Sequence, residues 1–112
     1  MGMGGTSLTG LAEDLLTRAR ASRSGRAAHT VYGGHEHGLR QTVIALAGQR
    51  ELAAHESPGE VTLLVLTGRV RLTVDGDDWE GSVGDFVAIP PARHSLAALE
   101  DAAVLLSVRV GP

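Results

Sequence analysis

The sequence predicts one all-β domain, a sandwich or closed barrel of short antiparallel strands, preceded by a single α-helix. Only one segment, near the start, places apolar residues at helical spacing. The rest of the chain consists of short apolar or alternating runs, which turn residues interrupt about every 8 to 12 residues. A length of 112 residues suits one domain rather than two.

The predicted helix covers residues 8–22, "LTGLAEDLLTRARAS". Its apolar residues recur three and four positions apart, and either Ser7 or Thr9 can cap the start. The stretch "SRSGR" ends it. We therefore divide the chain into a flexible start with the helix, residues 1–28, and a barrel domain, residues 29–112. The apolar stripe of the helix must cover the chain's own barrel or a partner.

Six strands are predicted after the helix. They cover residues 39–47, 61–66, 69–75, 84–91, 94–99 and 103–110. "DGDD", residues 75–78, is a hairpin turn that leads into "WEGS". In 69–75 apolar and polar residues alternate, so Arg69 and Arg71 share one face. A solvated outer face is the expected place for them, and an inward face that binds an anion is the alternative.

Composition removes several classes of function. The chain has no cysteine and no lysine, so disulfides, thiolate metal sites and Schiff-base chemistry are excluded. The net charge is -3, without a basic stripe, and nucleic acid is not an expected partner. No apolar run approaches the ~18 residues of a membrane helix, and no signal peptide is evident. We expect a bacterial, cytoplasmic protein that does not bind membranes.

Histidine is the abundant reactive residue, and it is the commonest neutral metal ligand in proteins. The five histidines are His29, His35, His37, His55 and His94. "YGGHEHG", residues 32–38, contains the one His-x-His pair, within a glycine-flanked segment that we expect to be a loop. Its histidines could be metal ligands, part of a dimer contact, or a plain surface turn. His29 is expected on the surface.

Two segments give a family resemblance. "HESPGEVTLLVLTG", residues 55–68, is followed by "GDFVAIPPARHSL", residues 84–96. Together they resemble the two motifs of the cupin family, a double-sheet jelly roll. The family's first motif has two histidines one residue apart, then a glutamate and a closing glycine; its second has a glycine, a proline and a histidine. The resemblance covers about residues 39 to 110.

The first motif can be carried over in two frames. Without gaps, His55 takes the first histidine position and Gly68 the closing glycine, while Ser57 and Val61 stand at the second histidine and the glutamate. A shifted frame places His55 at the second histidine and Glu60 at the glutamate. Ala53 then stands at the first histidine, and the closing glycine comes one residue late.

The second motif fits at Gly84 and Pro90. Ala92 replaces a glycine, His94 arrives one residue early, and Ala98 or a neighbour replaces the usual asparagine. In either frame at least one of the family's four ligands is absent.

The resemblance implies a metal site of His55, Glu60 and His94 for Fe, Mn, Ni or Zn, with His35 and His37 as secondary candidates. Glu60 can join only if a β-bulge turns it inward. No organic cofactor is implied, and no catalytic residue can be assigned.

Three functions follow from these observations. The first is a small cupin that binds a small molecule or a loosely held metal in the barrel. The second is a metal-dependent enzyme of the dioxygenase, isomerase or decarboxylase type. The third is an effector-sensing or interaction module whose helix engages a partner. A homodimer is expected in each case, with the contact made by the N-terminal helix or by an edge strand.

Overall fold

The computed structural model describes residues 2–56 and 59–109, apart from the side chain of His55. The predicted all-β fold with an N-terminal helix is confirmed: two antiparallel sheets face each other, and one helix packs outside them. Ser57, which the ungapped frame places at the second histidine, lies outside the described residues, as does the predicted end of the last strand at residue 110.

Helix α1 spans Leu8–Ala21, close to the predicted 8–22. Ser7 is the cap, because its Oγ accepts the N–H of Gly10 at 3.1 Å. The apolar stripe of the helix is buried against the chain's own sheet, through Ala12, Leu15, Leu16 and Ala19. No helix among the described residues has the length and apolar character needed to cross a membrane.

Nine strands follow: β1 (Arg26–Tyr32), β2 (Leu39–Leu46), β3 (Glu51–His55), β4 (Glu60–Thr67), β5 (Arg69–Val74), β6 (Asp77–Ser82), β7 (Phe86–Ile89), β8 (His94–Ala98) and β9 (Ala102–Arg109). One sheet has the order β1-β2-β9-β4-β7, and the other has the order β3-β8-β5-β6. Strands β1 and β3 were not predicted, and β6 contains the "WEGS" segment that was predicted to follow the hairpin turn. The division at residues 28 and 29 falls within β1.

The β5–β6 hairpin shows how local sequence sets the register. Asp75 and Gly76 form a two-residue loop with φ values of 50° and 84°. Two successive positive φ angles are typical of a type I′ turn, whose twist matches that of the paired strands. The register that follows places Trp79 opposite Leu72 on the face between the sheets.

Two apolar cores hold the molecule together. The larger lies between the sheets and contains inward residues of β4, β5, β8 and β9, such as Leu63, Val70, Leu96 and Val104. The smaller lies between α1 and the outer face of the five-stranded sheet, around Val43, Ala45 and Ala103. The central strands of the five-stranded sheet therefore carry buried apolar residues on both faces.

Candidate ligand site at one end of the barrel

His94 is a buried histidine on the inner face of the barrel. It is the first residue of β8, directly after the Pro90–Arg93 turn, and its side chain is 4% exposed. Its register partner on β5 is Val74, and the neighbouring pair on the same face is Leu96 with Leu72 in the core. The structure therefore places this predicted site residue between the two sheets.

The ring of His94 is oriented by the backbone just before it. Nδ1 lies 3.2 Å from the carbonyl oxygen of Ala92. A carbonyl oxygen can only accept, so Nδ1 must carry the proton in this hydrogen bond. In the neutral ring Nε2 is then the nitrogen with the lone pair. Metal-binding histidines in proteins are commonly held in this way.

His55 ends strand β3, and its Cα is the register partner of His94. The preceding pair is Leu52 with Leu96, so between the two pairs β3 has two residues and β8 has one. This extra residue is a β-bulge at positions 53 and 54. Arg93 fixes the bulged segment by donating from Nη2 to the carbonyl oxygen of Ala54 at 3.2 Å. The side chain of His55 lies outside the described part of the structure.

Glu60 lies on the other side of its sheet. It is exposed at the start of β4, opposite Arg109, while Val61 is buried and faces the core. The register from Glu60 to Val65 is regular, so no bulge turns the carboxylate inward. The structure thus brings His55 and His94 together along the backbone but does not bring Glu60 to them. The ungapped frame places Val61 at the glutamate position of the motif, and Val61 is the residue that faces the interior here.

His35 and His37 lie in a turn between β1 and β2 and are exposed. The ring of His37 packs on Tyr32 with 4.9 Å between centroids, and its Nδ1 is 3.5 Å from the Tyr32 hydroxyl. Within residues 2–56 and 59–109, with the His55 side chain set aside, no group of three or more potential ligands is close enough to hold a metal.

The space enclosed beside His94 is small and apolar. A cavity of about 20 Å³ is bounded by His94 and eight aliphatic side chains: Ile44, Leu52, Leu63, Leu72, Ile89, Leu96, Val104 and Leu106. That volume is close to what a single water molecule needs. An organic ligand therefore does not fit in this cavity and would have to bind nearer the barrel end.

The arginines of β5 face outward. Arg69 pairs with Glu80 at 3.1 Å, and Arg71 pairs with Glu80 at 3.2 Å. All three side chains are about half exposed, so these pairs lie on the solvated face of the sheet. Gln41 also lies on an outer face, donating to Ser107 Oγ at 3.0 Å. These polar residues do not line the barrel interior.

Comparison with known proteins identifies the family. The sequence profile of the cupin domain matches residues 41–109, which is more than half of the chain. The protein therefore belongs to the cupin family. No curated protein matches the chain.

Solved structures repeat the fold. A conserved Streptococcus pyogenes protein of unknown function is 25% identical, with a TM-score of 0.73 over 81% of this chain and 79% of that one. A cupin superfamily protein from Desulfitobacterium hafniense is 15% identical, with a TM-score of 0.71 over 77% and 78%. A salicylate 1,2-dioxygenase from Pseudoaminobacter salicylatoxidans is 18% identical, with a TM-score of 0.74 over 88% of this chain and 32% of that one. At 15% and 18% identity, the last two establish a shared fold alone.

Proposed function

We propose that this cupin is a binding protein that holds a divalent transition metal loosely at the His55–His94 end of the barrel. A small molecule would complete the coordination of that metal. The observation that carries the proposal is the burial of His94 on the inner face with its Nδ1 3.2 Å from the Ala92 carbonyl oxygen, an arrangement that in the neutral ring leaves the lone pair on Nε2. His55 is the proposed second ligand.

The backbone register supports His55 in this role. Directly opposed residues in an antiparallel pair have Cβ atoms about 4.5–5.5 Å apart and share a face. The bulge in β3 makes His55, rather than Ala54, the partner of His94. Two imidazoles at that spacing could bind one ion together, in the way that His-x-His does along a single strand.

The hold on the metal is expected to be weak because the carboxylate is absent from the set. Catalytic zinc sites generally have three protein ligands, and non-haem iron sites add a carboxylate to two histidines. Here Val61 occupies the inward position next to Glu60, and Glu60 faces solvent. Two imidazoles alone favour exchangeable binding over a permanent cofactor.

A zinc titration of chelator-stripped protein tests the proposal. We expect one weak site in the parent, measured by calorimetry. His94→Ala and His55→Ala should each weaken it by more than the roughly 10- to 100-fold that follows loss of an outer-shell partner. His29→Ala is the matched control, because His29 is exposed on β1, and it should bind like the parent.

His37→Ala separates the barrel end from the loop histidines and should also leave the site intact. Zinc binding that survives His94→Ala, or a parent that does not bind zinc, would contradict the proposal. A metal retained at one equivalent through dialysis against a chelator would instead favour a metal-dependent enzyme with a further ligand.

A further inference from the structure

We propose that strand β7 and the adjoining outer face of β4 form the contact between two copies of this chain. The starting observation is Phe86, the single phenylalanine of the sequence, whose side chain is 62% exposed. A large aromatic side chain usually contributes to a core or an interface. Here it lies on the outer face of an edge strand.

Phe86 is one of several apolar side chains near β7 that belong to neither core. Its register partner on β4 is Leu64, which is half-buried and is a member of neither core cluster. Val83, in the turn just before β7, is 65% exposed. Phe86 and Leu64 are adjacent on the outer face, and contiguous exposed apolar surface marks interaction sites more often than isolated side chains do.

The N-terminal helix covers mainly the β1 half of the sheet, and on β4 it packs against Leu66 rather than Leu64. Helix α1 packs chiefly on β1, β2 and β9, at the opposite edge from β7. Its own apolar stripe is already buried there, with Leu15 1% exposed and Ala19 fully buried. The sequence offered the helix or an edge strand as the dimer contact. Because the apolar stripe of the helix is buried within its own chain, the edge strand is the remaining candidate.

The charges on the edge strands favour β7. The sheets end at β1, β7, β3 and β6. Three of these carry charged side chains, namely Arg26 on β1, Glu51 on β3, and Asp77, Asp78 and Glu80 on β6. Two copies of β6 would repel each other, since like charges directly opposed across strands are unfavourable. Strand β7, "FVAI", has no polar side chain.

An exposed apolar edge strand without charge, proline or bulge is a template for another strand, and natural proteins normally protect such edges. The occupant that fits best is a second β7 related by a two-fold axis, because an uncharged strand can pair with its own copy without repulsion. Most soluble homo-oligomers are two-fold dimers of this isologous kind.

The contact must extend beyond the strand itself. A stable interface buries about 800 Å² per partner, more than four edge residues supply. The outer face of β4 continues the surface through Leu64. An open depression of about 630 Å³, bordered by Glu60, Thr62, Ala88 and Pro91, adjoins it. A second copy docked on β7 and β4 would cover part of this depression.

The experiment is sedimentation velocity on the full chain across a range of concentrations. We expect a parent dimer, and a dissociation constant raised at least about 30-fold in Phe86→Glu, as for an interface hot spot. The matched control is Tyr32→Glu, an exposed aromatic residue on the other edge strand of the same sheet, 48% exposed. This control should remain dimeric. Circular dichroism should show both variants folded.

Amide hydrogen exchange provides a second measurement that does not depend on a variant. Protection of residues 84–91 should rise with protein concentration, while that of β1 should not. A parent that is monomeric throughout, a dimer that persists in Phe86→Glu, or dissociation by Tyr32→Glu alone would each overturn the proposal.

Discussion

At the scale of single residues, His94 has its orientation set by its immediate neighbours. The Pro90–Arg93 turn directs the chain into β8, and the Ala92 carbonyl accepts the Nδ1–H of the ring. The motif in the sequence indicated a histidine after the prolines. It could not indicate the hydrogen bond that orients the ring, because the acceptor is a backbone carbonyl group, which every residue type has.

Gly68 illustrates a residue whose absence of a side chain matters. It is the one-residue link between β4 and β5, with φ of 77°. A Cβ there would meet the carbonyl oxygen of Asp101 and would lie 2.8 Å from the Cα of Ala102. The closing glycine of the motif is thus required by the close approach of β4 to the start of β9.

We predict that Gly68→Ala destabilises the fold well beyond the effect of Gly76→Ala. Gly76 has a similar φ of 84° but open space around it, so alanine there costs only the left-handed backbone, about 1–2 kcal/mol. Gly68→Ala adds the clash with backbone atoms, a further 1–3 kcal/mol or so. Urea unfolding measures both. Equal losses would show that the backbone at Gly68 relaxes freely.

At the scale of elements, the contact between α1 and the β8–β9 turn centres on Asp101. Its Oδ1 accepts the N–H of Gly48 at 2.7 Å, and its Oδ2 pairs with Arg20 Nη1 at 2.6 Å. The Gly48 N–H, and after it the Arg20 guanidinium, hold the pKa of Asp101 below its ordinary value of 3.8. The helix is thereby fastened to the sheet by more than its apolar stripe.

This lowered pKa gives stability a defined pH dependence. Because the folded state binds the proton less tightly, the contribution is complete above the unfolded pKa and is lost as pH falls through the lower folded value. We predict that Asp101→Ala costs about 1 kcal/mol near neutral pH, a modest amount because both side chains are substantially exposed. Denaturant unfolding at acid pH should show this difference disappearing.

The neighbouring Glu100 supplies the control. Its carboxyl group is exposed and makes no hydrogen bond to any described residue, so Glu100→Ala should change stability little at either pH. A loss in Asp101→Ala that is as large at acid pH as at neutral pH would mean that packing, rather than charge, accounts for it.

The elements that could be predicted were those with a strong local pattern. Strand β5 alternates cleanly, and the Asp75–Gly76 turn determines its hairpin with β6. In contrast, β1 and β3 were missed because "RAAHTVY" and "ELAAH" are rich in alanine and lack a clear period of two. Their extended state is set by pairing with β2 and β8, which is tertiary information.

The candidate site shows the same division between local and tertiary information. The motif predicted His55 and His94, and their backbones are register partners. The motif also required a β-bulge near Glu60 if that carboxylate was to face the interior. The bulge lies instead in β3, one strand earlier in the chain. A bulge is decided by how two strands align, and the sequence around Glu60 gives no signal for that alignment.

At the scale of the whole molecule, the barrel is a packed structure with the proposed metal ligands at one end. The cavity beside His94 is about 20 Å³, and the exposed charged pairs lie outside. The fold is shared with proteins as different as a salicylate 1,2-dioxygenase and a protein of unknown function. Function therefore has to be argued from the side chains at the end of the barrel rather than from the fold.

The most direct test of the proposed site is a long-range ¹H–¹⁵N correlation spectrum of the histidine rings, recorded at a pH well above the ordinary imidazole pKa of about 6.5. The metal-free protein should show His94 protonated at Nδ1, and added zinc should shift its Nε2 together with the ring of His55. A ring protonated at Nε2, or His94 signals that zinc leaves unchanged in the folded protein, would contradict the proposed metal site.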